Sequence, residues 1–294
     1  MFLWHLLRLP CLNRWVKKSL EKQNMLNIHE LSKTFFPGTV NEVKALRNIS
    51  LTISQGSFTA IIGTNGSGKS TLLNAIAGTF FPDTGSIKLD ENQISQWPEY
   101  KRAQLIGRVF QNPFAGTAAE MTIAENIVMA MRRGQSRPLI TAVTRHVKTE
   151  IADRVRMLKM GLENRLDNPI GTLSGGQRQA LTLLMATWLK PKLLLLDEHT
   201  AALDPKSAAK VAELTKQIIE QEKLTALMVT HSMQQAVDLS DRIIMMHQGQ
   251  IIEDFRDEMK KRVRVFDLMD TFDRVQKREL FDESVAALLF EQYV

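Results

Sequence analysis

Cysteine is almost missing from this chain: Cys11 is the only one in 294 residues. A lone cysteine excludes a disulphide within the chain and makes a reducing compartment the natural setting. Also missing is any run of 18 or more apolar residues, so no segment reads as a membrane-spanning helix. If the chain serves transport, the pore belongs to another polypeptide. Nor is one sign of charge spread over the chain. The formal net charge is +6, but residues 1–24 set Arg8, Arg14, Lys17, Lys18 and Lys22 against Glu21 alone, which leaves +2 for the other 270 residues. That excludes a broad basic field, and no nucleic-acid partner is expected.

What is present divides into unlike parts. Residues 1–24 are apolar and basic, are broken by Pro10, and precede Met25. The apolar stretch resembles a signal-peptide core, but no small-residue cleavage site follows it. Two readings stay open: a basic amphipathic segment on a membrane surface, or residues upstream of a working initiator at Met25. From there strands and helices alternate. Ile49–Ile53, Phe58–Ile62, Leu105–Phe110, Leu193–Leu196, Leu224–Thr230 and Arg242–His247 read as strands. Lys69–Ala77, Gln177–Leu189 and Pro205–Lys223 read as helices, the last with Ala208, Val211, Leu214 and Ile218 inward. The stretch from Thr122 to about Leu166 is helix-rich, with an interruption near Gly134–Pro138. Uninterrupted apolar strands joined by helices predict an α/β fold with a largely parallel sheet covered on both faces. The length of the chain suits one such domain with appendages, and no internal repeat appears.

Chemistry concentrates in five places. Gly63, Thr64, Asn65, Gly66, Ser67, Gly68, Lys69 and Ser70 fit the phosphate-loop pattern G-x-x-x-x-G-K-[ST]. Its glycines let successive N–H groups converge on phosphate oxygens, and the helix opening at Lys69 adds its positive end. Lys69 is expected at the β and γ phosphates of ATP, Ser70 on Mg²⁺, and Thr71 nearby on the α/β side. By composition alone such a loop arises by chance in roughly 1% of chains this long, so it is suggestive by itself. Asp197 closes the buried run Leu193–Leu196, where an unpaired carboxylate is costly. A metal-bound water is the expected partner, giving Asp197 an outer role at Mg²⁺. Glu198, next in line, is the candidate to polarise the attacking water. His231 follows a strand 33 residues later and is expected to bond the γ phosphate and Glu198. Gln111 ends the Leu105–Phe110 strand in the same way and can reach Mg²⁺ or the attacking water.

The fifth place is Leu173–Gln177, which reads LSGGQ. Ser174 and the N–H groups of Gly175 and Gly176, beside Gln177, make a second anion cradle at a helix head. The helical insertion carries it away from the same chain's phosphate loop. In a head-to-tail pair each cradle would cap the partner's γ phosphate, with Asp204 across the interface.

These motifs in this order resemble the ATP-binding cassette (ABC) ATPase family over about residues 25–255. The resemblance implies a P-loop NTPase fold of ABC ATPase type: a RecA-like core with a mainly parallel sheet, an antiparallel β subdomain, and a helical subdomain near 112–172 that grips permease subunits around Gln111–Glu120. It implies that Phe35, with Phe36 as competitor, stacks on adenine. A C-terminal helical tail over 256–294 follows, whose Val263, Phe266, Met269 and Phe272 could dock on the domain or on a twin subunit.

A finer resemblance rests on Phe36–Thr39, Asn41–Val43, residues 161–168 and 171–187, and the stretch around Asp197. It is to a bacterial subfamily associated with uptake of tryptophan and other aromatic amino acids. It implies a transmembrane permease, an extracytoplasmic substrate-binding protein, a second copy of the chain, and a peripheral position on the cytoplasmic side of the inner membrane. His199 stands where the family more often has proline and looks like a mark of the subfamily. The alternatives are the ATPase of an exporter, or a soluble ABC ATPase of repair or translation. The soluble proteins need a long coiled-coil insertion or two cassettes, and neither is present. A catalytically silent regulator is opposed by intact Lys69, Asp197, Glu198 and His231.

Overall fold

The structure, a computed structural model, describes residues 23–134 and 143–275. The N-terminal extension except its last two residues, most of the Gly134–Pro138 interruption and the tail beyond 275 lie outside the described residues.

Two sheets organise the described residues. Strands β3 (Phe58–Gly63), β6 (Ile106–Val109), β7 (Leu193–Asp197), β8 (Ala226–Val229) and β9 (Arg242–His247) run parallel. With β10 (Gln250–Phe255) antiparallel at one edge, their order is β10-β9-β3-β8-β7-β6. The second sheet is antiparallel and consists of β1 (Asn24–Phe35), β2 (Val43–Ser54), β4 (Thr84–Leu89) and β5 (Asn92–Gln93), in the order β2-β1-β4-β5.

All six residues of β3 are buried, as in a strand covered on both faces. Alternation along the parallel strands divides their side chains between two cores. Phe58, Ala60 and Ile62 enter one core with Leu194, Leu196, Ala226, Met228, Ile243 and Met245. Ile61, Leu193, Leu195, Leu227, Val229, Ile244 and Met246 enter the other. That second core is closed by α1 (Lys69–Ala77) through Leu72, Leu73 and Ile76, and by the antiparallel sheet through Leu26, Ile28, Leu51 and Ile53.

The first core is covered by helices of the insertion and of the C-terminal half. Helix α2 (Glu99–Arg102) is a short link, followed by α3 (Ile123–Met131) and α4 (Arg145–Arg156) of the insertion, which contribute Ile123, Ile127, Ile151 and Val155. Helix α5 (Gly175–Thr187) starts two residues earlier than its apolar pattern predicts, because Ser174 caps it in a reciprocal box with Gln177. Helix α6 (Pro205–Glu222) has Asp204 as N-cap, Pro205 in its first turn and Lys223 in the left-handed conformation at its end. Helices α7 (Met233–Leu239) and α8 (Asp257–Arg262) follow β8 and β10. Beyond α8, residues 265–275 are helical. Of the tail residues expected to dock, Phe272 is buried in the first core and Val263 packs against it, together with Leu268. Phe266 and Met269 face outward at 76% and 52% exposure. No helix among the described residues is long and apolar enough to cross a membrane.

Candidate active site

The phosphate loop joins the end of β3 to the head of α1. Gly66 and Gly68 have φ of 77° and 96°, values natural only to glycine. A Cβ on Gly68 would also lie 2.4 Å from the Ala45 carbonyl oxygen. Gly68 is the N-cap of α1 and has no side chain with which to occupy the N–H groups of the first turn. Ser70 is exposed at that head, Thr71 is half-buried, and Ser67 Oγ is buried without a hydrogen-bond partner. Lys69 Nζ donates to the carbonyls of Gly63 and Thr64, each at 2.9 Å. Burial pushes its ammonium below the ordinary lysine range, while the charges of Glu198 and Asp197 pull it back up. The lysine thus shares an electrostatic site with both acids.

Three of the expected residues meet directly. Glu198 is buried, and Gln111 Nε2 donates to its Oε2 at 3.0 Å while His231 Nε2 lies 2.6 Å from its Oε1. Glu198 has φ of +43°, uncommon for a residue with a side chain, and its N–H donates to the Val229 carbonyl at 2.9 Å. Gln111 and His231 come from the ends of β6 and β8, so the sheet converges them on the end of β7. Asp197 also has a protein partner, Arg108 Nη2 at 3.5 Å.

LSGGQ lies elsewhere. Ser174 Oγ accepts from Gln177 N–H at 3.3 Å, and Gln177 Oε1 accepts from Ser174 N–H at 3.2 Å. Gly176 approaches Ser207 so closely that a Cβ would sit 2.7 Å from its Cβ. Helix α5 rests on β6, three strand positions from the β3 that feeds the phosphate loop. At about 4.8 Å per strand, β3 and β6 themselves lie ~14 Å apart across the sheet. Asp204 is engaged as the cap of α6, accepting from Ser207 N–H at 3.0 Å. Bonding to Ser207 holds its carboxyl below the usual range. Phe35 ends β1 half-buried, edge-on to Phe80 with ring centroids 5.3 Å apart, and Lys33 Nζ lies 5.7 Å from its ring centre. Phe36 is 67% exposed.

The ABC transporter family model matches residues 46–201, the span that holds the phosphate loop, LSGGQ, Asp197 and Glu198. The chain belongs to the ABC transporter family. This cassette is 42% identical over 250 residues to a tyrosine transport ATP-binding protein of Clostridioides difficile, covering 85% of this chain and 99% of that protein. It is 33% identical to the energy-coupling factor transporter ATP-binding protein EcfA2 of Clostridium acetobutylicum, covering 85% of this chain and 84% of that one. Among solved structures, the dimeric post-hydrolysis state of the ATP-binding cassette MJ0796 bound to ADP and Pi matches with a TM-score of 0.67 and 27% identity. That match covers 79% of this chain and 98% of the other. The cassette is therefore an ATP-hydrolysing subunit of a transport system, with a RecA-like P-loop core, an added antiparallel sheet and a helical subdomain. Its substrate is ATP with Mg²⁺. The loop fits those phosphates: free N–H groups head α1, Ser67 Oγ is an orphan, and no atom lies within 4 Å of where a Cβ would stand on Gly66.

Several residues of the cassette escape motif reasoning. Arg108 Nη2 also donates to Asn74 Oδ1 at 2.5 Å, and its guanidinium stands over the Phe110 ring. It is the one charge in the apolar run before Gln111, and that break is the signal that could have found it. Gln179, fully buried on α5, donates to the Phe110 carbonyl at 3.0 Å, while Arg178 bonds Thr117 Oγ1 at 2.8 Å and stands over Phe114. These contacts tie the LSGGQ helix to the loop that follows Gln111. His199 is 1% exposed, 2.9 Å from Thr215 Oγ1, and burial pushes its imidazole down to about 4, so it is neutral at physiological pH.

Proposed function

We propose that this chain is the energising subunit of a bacterial importer of aromatic amino acids. The observation that carries the hydrolytic part is the cluster in which Gln111 and His231 grip the two oxygens of Glu198 beside Lys69. In this reading Gly63–Thr71 cradle the phosphates, Lys69 contacts the β and γ groups, and Phe35 stacks on adenine. Ser70, Gln111 and Asp197 would hold Mg²⁺, which supplies charge neutralisation at the β and γ oxygens when bound. Arg108 would release Asp197 toward that ion and keep its bonds to Asn74. Glu198 orients the attacking water, and His231 holds both Glu198 and the γ phosphate. Little covalent work is asked of the protein, since phosphoryl transfer is governed by positioning and charge.

Two copies would close head to tail on two nucleotides. Ser174, Gly175, Gly176 and Gln177 of one copy complete the γ-phosphate site of the other, with Asp204 at the seam. The dimeric form of the similar cassette bound to ADP and Pi supports this arrangement. Contact with permease subunits through the helical subdomain would convert closure into transport, and a substrate-binding protein outside the membrane would deliver the cargo. The chain would then sit peripherally on the cytoplasmic face. An aromatic amino acid as cargo is supported by the 42% identity to a protein named for tyrosine transport.

The test is purification from native membranes with identification of whatever accompanies the chain. A permease together with a substrate-binding protein that binds tyrosine or tryptophan is the expected result. A permease with no binding protein would overturn import, and a binding protein indifferent to aromatic amino acids would overturn the cargo.

A further inference from the structure

The turn that carries Glu198 is held from two sides, and one of the holds is a buried histidine. Glu198 adopts a left-handed backbone, a conformation that persists only where the surroundings impose it. Its N–H is bound to Val229 and its carbonyl accepts from Ala201 N–H at 2.9 Å. The next side chain, His199, points into α6 and meets Thr215 Oγ1 at 2.9 Å. Thr215 is itself fully buried, and its hydroxyl proton is committed to the Val211 carbonyl at 2.8 Å. The hydroxyl therefore has only a lone pair to offer, which makes His199 Nε2–H the donor and fixes the tautomer. On the other side Thr200 Oγ1 donates to Gln235 Oε1 at 3.1 Å, and Gln235 also receives Thr230 Oγ1 at 3.4 Å, one residue before His231.

We propose that His199 is a positioning residue: by anchoring the turn to Thr215 of α6 it sets where the Glu198 carboxylate stands against Gln111 and His231. The proposal rests on the role assigned to Glu198 above. Helix α6 is an 18-residue rod capped at its head by Asp204, so the anchor refers the carboxylate to a rigid body reaching the proposed seam between copies. A side chain with no donor at position 199 leaves the left-handed turn tied by its backbone and by the Thr200–Gln235 bond, with no side-chain tie to α6. The carboxylate then drifts, while the phosphate loop that binds nucleotide is untouched. The KM for ATP is set by one element and kcat by the other.

The experiment compares His199→Leu, His199→Gln, Thr215→Val and Thr215→Ser with Glu198→Gln in the full chain, measuring ATP turnover, KM for ATP and melting temperature. The expectation for His199→Leu and Thr215→Val is a kcat lowered between about ten- and a hundredfold with KM within about twofold of the parent. Thr215→Ser keeps the hydroxyl and His199→Gln keeps a donor, so both recover most of that loss. A parental kcat in folded Thr215→Val or His199→Leu overturns the proposal. So does a loss in Thr215→Ser equal to that in Thr215→Val, because shape and not the hydroxyl would then be the cause. If Glu198→Gln itself turns over normally, it is the reading of Glu198 that falls.

Discussion

Glu198 is held by two neutral-capable donors and its charge is felt by Lys69, an arrangement that puts one negative charge where the proposed mechanism needs a water oriented. Glu198→Gln keeps the shape and one carbonyl oxygen but removes the charge. ATP turnover is expected to fall by at least about a hundredfold, the scale of losing one preorganised electrostatic group. Nucleotide affinity, governed by the phosphate loop, should stay within about threefold, so that ATP holds two copies together. Paired measurements of turnover and ATP binding check this, and near-normal turnover would remove Glu198 from the chemistry. Arg108 acts at the same scale: it stands 3.5 Å from Asp197 and is anchored to Asn74. Lys69, Asp197, Glu198 and His231 were legible in the sequence because a motif fixes their spacing. The contacts of Arg108, His199 and Gln235 were not, because their partners lie from 16 to 89 positions away along the chain, at Asp197, Thr215 and Thr200.

At the scale of the element, Arg102 shows how a helix end is finished from a distance. Its guanidinium is fully buried and donates to four carbonyls, those of Trp97, Ala75, Ile76 and Ser95, at 2.7–2.9 Å. Two of these close the C-terminal turn of α1, where a cation is favoured. Burial pushes its pKa down to about 10, yet it remains charged at neutral pH. Arg102→Met would strip the acceptors of their donors and is expected to cost about 3 kcal/mol or more, read as the shift in a urea midpoint. A second tie joins β9 to β10. Arg242 grips Asp254 with two parallel bonds at 2.7 and 2.6 Å and donates onward to the Thr52 carbonyl of β2. Burial raises the Asp254 pKa, but hydrogen bonds from Arg242 and Arg256 outweigh it and hold the carboxyl below its ordinary value. A depressed folded-state pKa contributes stability above the unfolded value, lost as pH falls through the folded one. Asp254→Asn should therefore cost about 2 kcal/mol at pH 7 and progressively less as the pH falls from about 3.9, the ordinary aspartate value, through the lower folded one, as urea titrations at pH 7 and at the acid end would register. An equal cost at both would exclude the ion pair as its source. The antiparallel strands carrying these ties were only partly legible. Ile49–Ile53 marks the last apolar stretch of β2, but Lys44, Arg47 and Asn48 face water, and register shifts in β1 break the alternation that pattern reasoning needs.

In the proposed pairing the molecule brings half of each of two sites: a phosphate loop at the end of β3, and an LSGGQ helix head on α5, which rests on β6. The order of motifs made both halves legible, whereas the distance between them required the sheet. A site shared between copies makes a prediction about mixtures. Lys69→Ala disables the phosphate loop, and Ser174→Glu sets a negative charge where the partner's γ phosphate is to sit. In the Glu198→Gln background, which blocks turnover, each of these double variants alone should stay monomeric with Mg·ATP, because every site in its pair is broken. Mixed in equal amounts they form a heteropair with one site broken twice and one intact, since the sound loop of one chain meets the sound helix head of the other. Sedimentation should then reveal ATP-dependent pairs with about one tightly held nucleotide per two chains. A mixture that remains monomeric while the Glu198→Gln chain alone pairs would mean that each chain completes its own site.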